Sequence, residues 1–346
     1  MKQCISFAAA IVCLTATAAA EDWTGTPQQL AIPGATLSVD IHPSRPVVAA
    51  AGNRGEIAVF GLPGGEPLTT LPHRVNHPAG VVRVLYGPGG RRMVSCGADG
   101  SVRLWDISVE PPRLADEAED FDGIQTAVAF TKDGETLAVG ERGGEGKVRL
   151  YSVGERLDLR RVLRPNRGPV WALAFETGGE SLLIGTGARD RRLGTLMRMD
   201  VRSEVATPVY VGRRQAPLRL AVFSPDGRML VVNDGPDVVL LDGRNGRVLR
   251  TLSGHRQPAA DGGEPQGVVT QAAFTPDGGR LVTGGYDAVR LWDPATGEEV
   301  AILTGEFGKS EGVAVTADGT TLVCAEKVMS GKERQFNGLL IWTANR

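Results

Sequence analysis

One unit recurs seven times along this 346-residue chain: an apolar strand ending in an aromatic or branched residue, a short polar turn, and a second apolar strand. Its copies are VDIHPSRPVV (39–48), VLYGPGGRRMV (84–94), VAFTKDGETLAV (128–139), LAFETGGESLLI (173–184), AVFSPDGRMLVV (221–232), AAFTPDGGRLVT (272–283) and VAVTADGTTLVC (313–324). With Ile41, Tyr86, Phe130, Phe175, Phe223, Phe274 and Val315 as the common anchor, successive steps are 45, 44, 45, 48, 51 and 41 residues. A period of this size is the mark of a repeat architecture. Seven such units fill residues 21–346 and leave no room for a second domain of useful size.

Alternation with period two and Asp-Gly or Gly-Gly turns predict strands joined as hairpins, because Gly, Asp and Asn accept the positive φ of a tight turn. A third strand follows in several units: VRLWDI (102–107), VRLYSV (148–153), VVLLDG (238–243), VRLWD (289–293) and LLIWTA (339–344). A fourth follows in most, as in RVLRTL (247–252) and EVAILT (299–304). Four short antiparallel strands cannot bury two faces alone, but repeated radially each sheet covers its neighbour. The expectation is an all-β, seven-bladed β-propeller of four-stranded antiparallel blades, with a ring of six or eight as the alternative. The last copy ends at LLIWTANR without a fourth strand, whereas QQLAIPG (28–34) stands unassigned before the first. That N-terminal segment is expected to close the ring as the outer strand of the seventh blade.

Residues 1–20, MKQCISFAAAIVCLTATAAA, combine one charge at Lys2, a small and apolar run, and an Ala18-Ala19-Ala20 end before Glu21. This layout predicts a signal peptide, too short to span a bilayer, with the propeller occupying 21–346. The reading implies export, to a bacterial periplasm or fully secreted, with no membrane insertion after cleavage. Lys and Arg number 38 against 40 Asp and Glu, so the chain is nearly neutral and gives no electrostatic reason to expect a nucleic-acid partner. Cys4 and Cys13 would leave with the leader. Cys96 and Cys324 remain, too few for a disulfide framework and without zinc spacing, and are expected as small buried apolar residues.

The segments SCGADGSVRLWD (95–106) and TGGYDAVRLWD (283–293), together with Gly254-His255, resemble the WD-repeat propeller family. Asn76-His77 stands before the inner strand at Val81 as a Gly-His equivalent. The resemblance implies hydrogen-bonded chains of His77, Ser95, Asp99 and Trp105 in blade 2, and of His255, Thr283, Asp287 and Trp292 in blade 6. A buried indole N–H has no acceptor of its own, so a hydroxyl, an imidazole and a carboxylate in sequence satisfy one another and lock the turn. The same trio occurring twice beside a Trp fits scaffolding better than a hydrolase triad. The match is uneven: blades 1, 3, 4 and 5 lack both the histidine and the Trp-Asp end, and blade 7 keeps Trp342 alone.

Signals for catalysis are scarce. The four histidines, His42, His73, His77 and His255, form no HxH or HxxxH pair, so no metal site is expected. GERGGEGK (140–147) lacks the ending of a phosphate-binding loop, and DEAEDFD (116–122) lacks the calcium-loop pattern. No cofactor is expected. Four residues before the anchor stand Leu37, Val82, Thr126, Trp171, Arg219, Thr270 and Glu311, a set read as channel-lining and without clustered carboxylates or imidazoles. Within it Trp171 and Arg219, on adjacent blades, are a candidate contact pair at one channel mouth.

The long connections, 140–147, 185–195, 256–267 and 326–337, join second to third strands or one blade to the next, and these two classes open on one face. Insertions gathered on one face of a rigid ring suggest a binding surface. Arg189, Arg191, Arg192, Met329, Arg334 and Phe336 are its candidate contacts. The expectation is a non-enzymatic, monomeric platform for a protein or peptide partner. The alternative is an extracytoplasmic propeller enzyme or electron-transfer partner using the channel mouth, while glycan binding finds too few aromatic residues.

Overall fold

The Asp-Gly turns close the hairpins as their chemistry demands. At Thr275-Pro276-Asp277-Gly278 the Gly278 N–H donates to the Thr275 carbonyl (2.8 Å), and Gly278 takes a φ of 72°, a conformation costly for any residue with a Cβ. The hydroxyls of Thr131, Ser224 and Thr316 donate to Asp133, Asp226 and Asp318 two residues on, at 2.6, 2.7 and 2.6 Å. These bonds hold the three carboxyls below their usual range and fix the same turn in three blades.

Propagated around the chain, the hairpins build a computed structural model of seven separate four-stranded antiparallel sheets. It describes residues 23, 25–73, 77, 80–119, 121, 123–143, 146–165, 168–187, 193–255, 268–303, 309–327 and 337–344. Blade 1 spans 36–72, blade 2 81–118, blade 3 125–163, blade 4 170–211, blade 5 221–253 and blade 6 269–303. Blade 7 takes 309–343 and, as its outer strand, Gln28–Ala31, which pairs antiparallel with Asn337–Thr343 through Gln28–Ile341 and Ala31–Gly338. The ring is therefore closed by the N-terminal strand, as the unassigned segment required. Among the described residues there is no helix long and apolar enough to cross a membrane.

The core lies between blades. Seven apolar clusters occupy the seven interfaces; one joins Ala49, Ile57 and Leu71 of blade 1 to Val84, Met93 and Trp105 of blade 2. Second strands are buried along nearly their whole length, and Leu281–Gly285 in blade 6 is buried throughout, because a neighbour covers each face. Outer strands are mostly exposed, as in Val248–Ser253. Cys96 and Cys324 are free and buried, as their composition suggested, and burial pushes both thiols up to about 12.

One sequence expectation changes. The positions four residues before the anchor are not equivalent wall positions of the channel. In six blades the ladder slips there, skipping Leu37, Val82, Thr126, Trp171, Thr270 and Glu311. A bulged residue is unpaired and breaks the alternation that the register argument assumed. In blade 5 the inner strand begins only at Ala221, and the Arg219 and Leu220 N–H groups donate instead to Asn233 Oδ1 at 2.7 and 3.3 Å.

Candidate functional site

Blade 6 holds an uninterrupted polar chain. Trp292 Nε1–H donates to Thr283 Oγ1 (2.8 Å), which lies 2.7 Å from His255 Nε2, and His255 Nδ1 lies 2.7 Å from Asp287 Oδ1. A single direction satisfies every group: indole to hydroxyl, hydroxyl to Nε2, Nδ1–H to carboxylate. Burial works against the Asp287 charge, yet the bonds from His255 and Arg290 hold its carboxyl below the usual range. Arg290 also pairs with Glu299, extending the chain to the surface.

In blade 2 the histidine is His73, not His77. His73 Nδ1 is 2.7 Å from Ser95 Oγ, which also accepts from Trp105 Nε1 at 2.8 Å. Its Nε2 is 2.9 Å from Ser101 Oγ, and Ser101 donates onward to Asp99 Oδ1 at 2.7 Å. His77 lies exposed on the connection to blade 2, its carbonyl accepting from the Gly80 N–H at 2.9 Å. The physical reason is that the outer strand just completed places the histidine: His73 follows Pro72, and His255 follows Ser253 by two residues. Counting backward from the next inner strand fails because the connection varies in length. Burial, and then the charge of Arg103, push the His73 imidazole down to about 4.

The second-strand residue eleven positions after the anchor bears on which pin a blade uses. Aligned by pairing, that position is Gly52, Gly97, Glu141, Thr186, Asp234, Gly285 and Glu326. Glycine makes room for the imidazole: a Cβ on Gly285 would stand 2.4 Å from His255 Nδ1, and one on Gly97 3.0 Å from His73 Nε2. Where a side chain stands instead, it takes over the fastening. Asp234 accepts from Tyr210 Oη (2.8 Å) and from the Arg213 and Arg214 amides (2.9 and 3.1 Å), and Glu141 pairs with Arg149. In blade 7 Glu326 is buried with Oε2 lacking a hydrogen-bond partner among the described residues, and burial pushes its carboxyl up to about 7.

The axis of the ring is a cavity of about 480 Å³ lined by the inner strands. Its polar lining includes Ser38, Asp40, Arg83, Trp171, Arg219 and Gln271. Asp40 accepts from the Tyr86 N–H (2.6 Å) and Ser38 Oγ from the Val84 N–H (3.2 Å), so blade 1 caps amides on the free inner edge of blade 2. Burial pushes the Asp40 carboxyl up to about 7 against that bond. Burial also lowers Arg83, an effect opposed by the charge of Glu311.

Trp171 and Arg219 meet: the Arg219 guanidinium carbon lies 4.5 Å from the indole centroid. Arg142, on the connection between second and third strands of blade 3, stacks on the same ring, also at 4.5 Å. Gly187 backs the indole, since a Cβ there would stand 2.5 Å from Trp171 Nε1. All three residues belong to the end of the ring from which the long connections leave. Arg189, Arg191, Arg192, Met329, Arg334 and Phe336 lie outside the described residues. Among the described residues no group of three His, Cys, Asp or Glu is placed to hold a metal ion.

The fold is a seven-bladed propeller, and two of its blades carry a Trp–hydroxyl–His chain that ends on an aspartate. The family model "WD domain, G-beta repeat" matches residues 65–106 and 246–293, the two stretches that carry the Trp-Asp ends and the two pinning histidines. The chain is similar to cilia- and flagella-associated protein 52 of Mus musculus, 27% identical over 273 residues, which cover 73% of this chain and 39% of that protein. It is also similar to WD repeat-containing protein 1 of Xenopus tropicalis, 25% identical over 253 residues, covering 72% of this chain and 32% of the relative. Actin-interacting protein 1 of Drosophila melanogaster is 24% identical over 284 residues, covering 81% and 37%. The chain thus spans well under half the length of these relatives.

Proposed function

We propose that this chain is an exported, non-enzymatic platform that holds a protein or peptide partner against the face bearing its long connections. The observation that carries the reading is the coincidence of two features at one end of the ring. The strand ends flanking the four long connections lie there, and so does the Arg142–Trp171–Arg219 stack. Trp and Arg are the residues most enriched in binding hot spots. Placement on a rigid scaffold lowers the ordering cost of binding. WD-repeat propellers generally act as interaction scaffolds, which supports the same assignment, although a fold alone does not fix a partner. Export, to a periplasm or beyond, rests on the composition of residues 1–20.

The test is a pull-down from the extracytoplasmic fraction with the cleaved chain as bait and R191E/R192E as control, read by mass spectrometry. A protein retained by the first and lost by the second supports the platform. A blank from both, or equal capture by both, removes it. Residues 1–20 are checked separately, by sequencing the N-terminus of the protein recovered from that fraction. A start at Glu21 is expected, and an intact Met1 would overturn export through this leader.

A further inference from the structure

Several arginines of the ring meet carboxylates. Arg92 lies 2.9 Å from Asp106, Arg103 2.6 Å from Glu117, Arg198 2.7 Å from Glu176 and Arg290 2.9 Å from Asp287. Arg142 and Arg219 do not follow this pattern. They enter from blades 3 and 5 and stack on Trp171 of blade 4, and among the described residues neither has a carboxylate within ion-pairing distance. Arg219 Nε is moreover buried without a hydrogen-bond partner among the described residues. Two like charges on one indole repel one another, and stacking satisfies the faces of the guanidinium groups but not their N–H edges. Arg83 is the second cation, with Arg219, in the lining of the central cavity, which also holds Asp40, and the carboxylate whose charge acts on Arg83 is Glu311. At about 480 Å³ the cavity admits a few side chains and no folded domain.

We infer that the Arg142–Trp171–Arg219 stack at the channel mouth is a receptor for a carboxylate side chain on an acidic peptide segment. The planar fork of an arginine matches a carboxylate in bidentate geometry, and a site shielded by protein strengthens such pairs. Trp171 fixes the distance between the two forks, so the ligand meets donors already in place. The inference rests on the platform reading in one respect, the choice of face.

The experiment is calorimetric titration of the full chain at low ionic strength with an N-acetylated hexaglutamate amide, using hexaglutamine as the uncharged probe. Binding of hexaglutamate alone is expected, weakened at least tenfold in R142Q/R219Q and tightened in E311Q, which removes the competing negative charge. Should the double variant fail to fold, R142Q alone, altered on a connection, is expected to weaken binding about threefold. No binding by the wild type, or equal binding by the folded arginine variants, overturns the inference. A thymidine hexanucleotide that binds more tightly than hexaglutamate, with the same dependence on Arg142 and Arg219, also overturns it, in favour of phosphate. A captured partner that depends on Arg191 and Arg192 but ignores R142Q/R219Q overturns this inference and leaves the platform standing. Hexaglutamate binding lost in R142Q/R219Q, with no partner captured, supports the receptor and removes the platform.

Discussion

In the two blades of this ring that use a histidine pin, the imidazole fills space left by a glycine on the second strand. Gly97 and Gly285 leave the space that His73 and His255 fill, whereas Glu141, Asp234 and Glu326 occupy it in other blades. Asp287→Ala removes the acceptor of His255 Nδ1 and a partner of Arg290, so a loss of roughly 1–3 kcal/mol in urea unfolding is expected. His73→Ala leaves Ser95 and Ser101 each short of a partner and should cost a similar ~1–3 kcal/mol, while His77→Ala on the exposed connection should stay within about 0.5 kcal/mol. Equal effects of the two histidine substitutions would return the pin to His77. Glu326 has the opposite character, because its carboxyl is raised in the folded state to about 7 from an ordinary 4.5. The folded chain then binds the proton more tightly than the unfolded chain, so the stability linked to Glu326 is full below pH about 4.5 and is lost as pH rises through about 7. Glu326→Gln should therefore match the wild type near pH 4.5 and exceed it at pH 8 by about 2 kcal/mol, a figure discounted for solvent screening. Melting curves of both proteins at the two pH values check this, and a constant difference would rule out the titration of Glu326 as its cause.

Strands and hairpins were the most legible elements, because their signals are local. Asp133-Gly134, Asp226-Gly227 and Asp277-Gly278 announce turns by chemistry that the folded structure then uses, down to the hydroxyl that donates to each aspartate. Gly278→Ala, at a φ of 72°, should accordingly cost about 1 kcal/mol while leaving the sheet intact, measured as a shifted unfolding midpoint with unchanged circular dichroism. The bulges were not legible. A skipped residue such as Trp171 is defined by the partner strand's register, and nothing in VWALAF distinguishes it from a paired one. His73 was hidden for a related reason, since the connection after Pro72 offers two histidines and only the end of the outer strand selects between them. The Trp171–Arg219 contact could be anticipated because both residues stand at one offset in consecutive repeats. Arg142 could not, because it arrives from another connection and meets the indole only in three dimensions.

At the scale of the whole molecule, the ring depends on a strand from its far end. The clusters between blades 6 and 7 and between blades 7 and 1 are the two that N-terminal residues complete: Trp23 is buried in the first, and Leu30 and Ile32 pack on the second. Trp23 is 1% exposed and its indole N–H reaches the Thr320 carbonyl at 3.2 Å, so it anchors the segment to blade 7 from outside the strand itself. Deleting residues 21–35 would remove this side chain, worth about 3–5 kcal/mol by comparison with other buried aromatic residues. It would also strip the ladder partner from Asn337–Thr343, leaving an unpaired apolar edge of the kind that recruits other chains. The expected outcome is a melting temperature lower by about 5 °C or more on the scale set by that loss, together with concentration-dependent association in light scattering. Trp23→Ala alone should reproduce part of the thermal loss without the association, because the strand remains paired. This separation distinguishes closure by Gln28–Ala31 from simple core packing. An unchanged melting curve on deletion would mean that blade 7 stands without its fourth strand, and that the sheet register between the two chain ends contributes nothing to holding the ring shut.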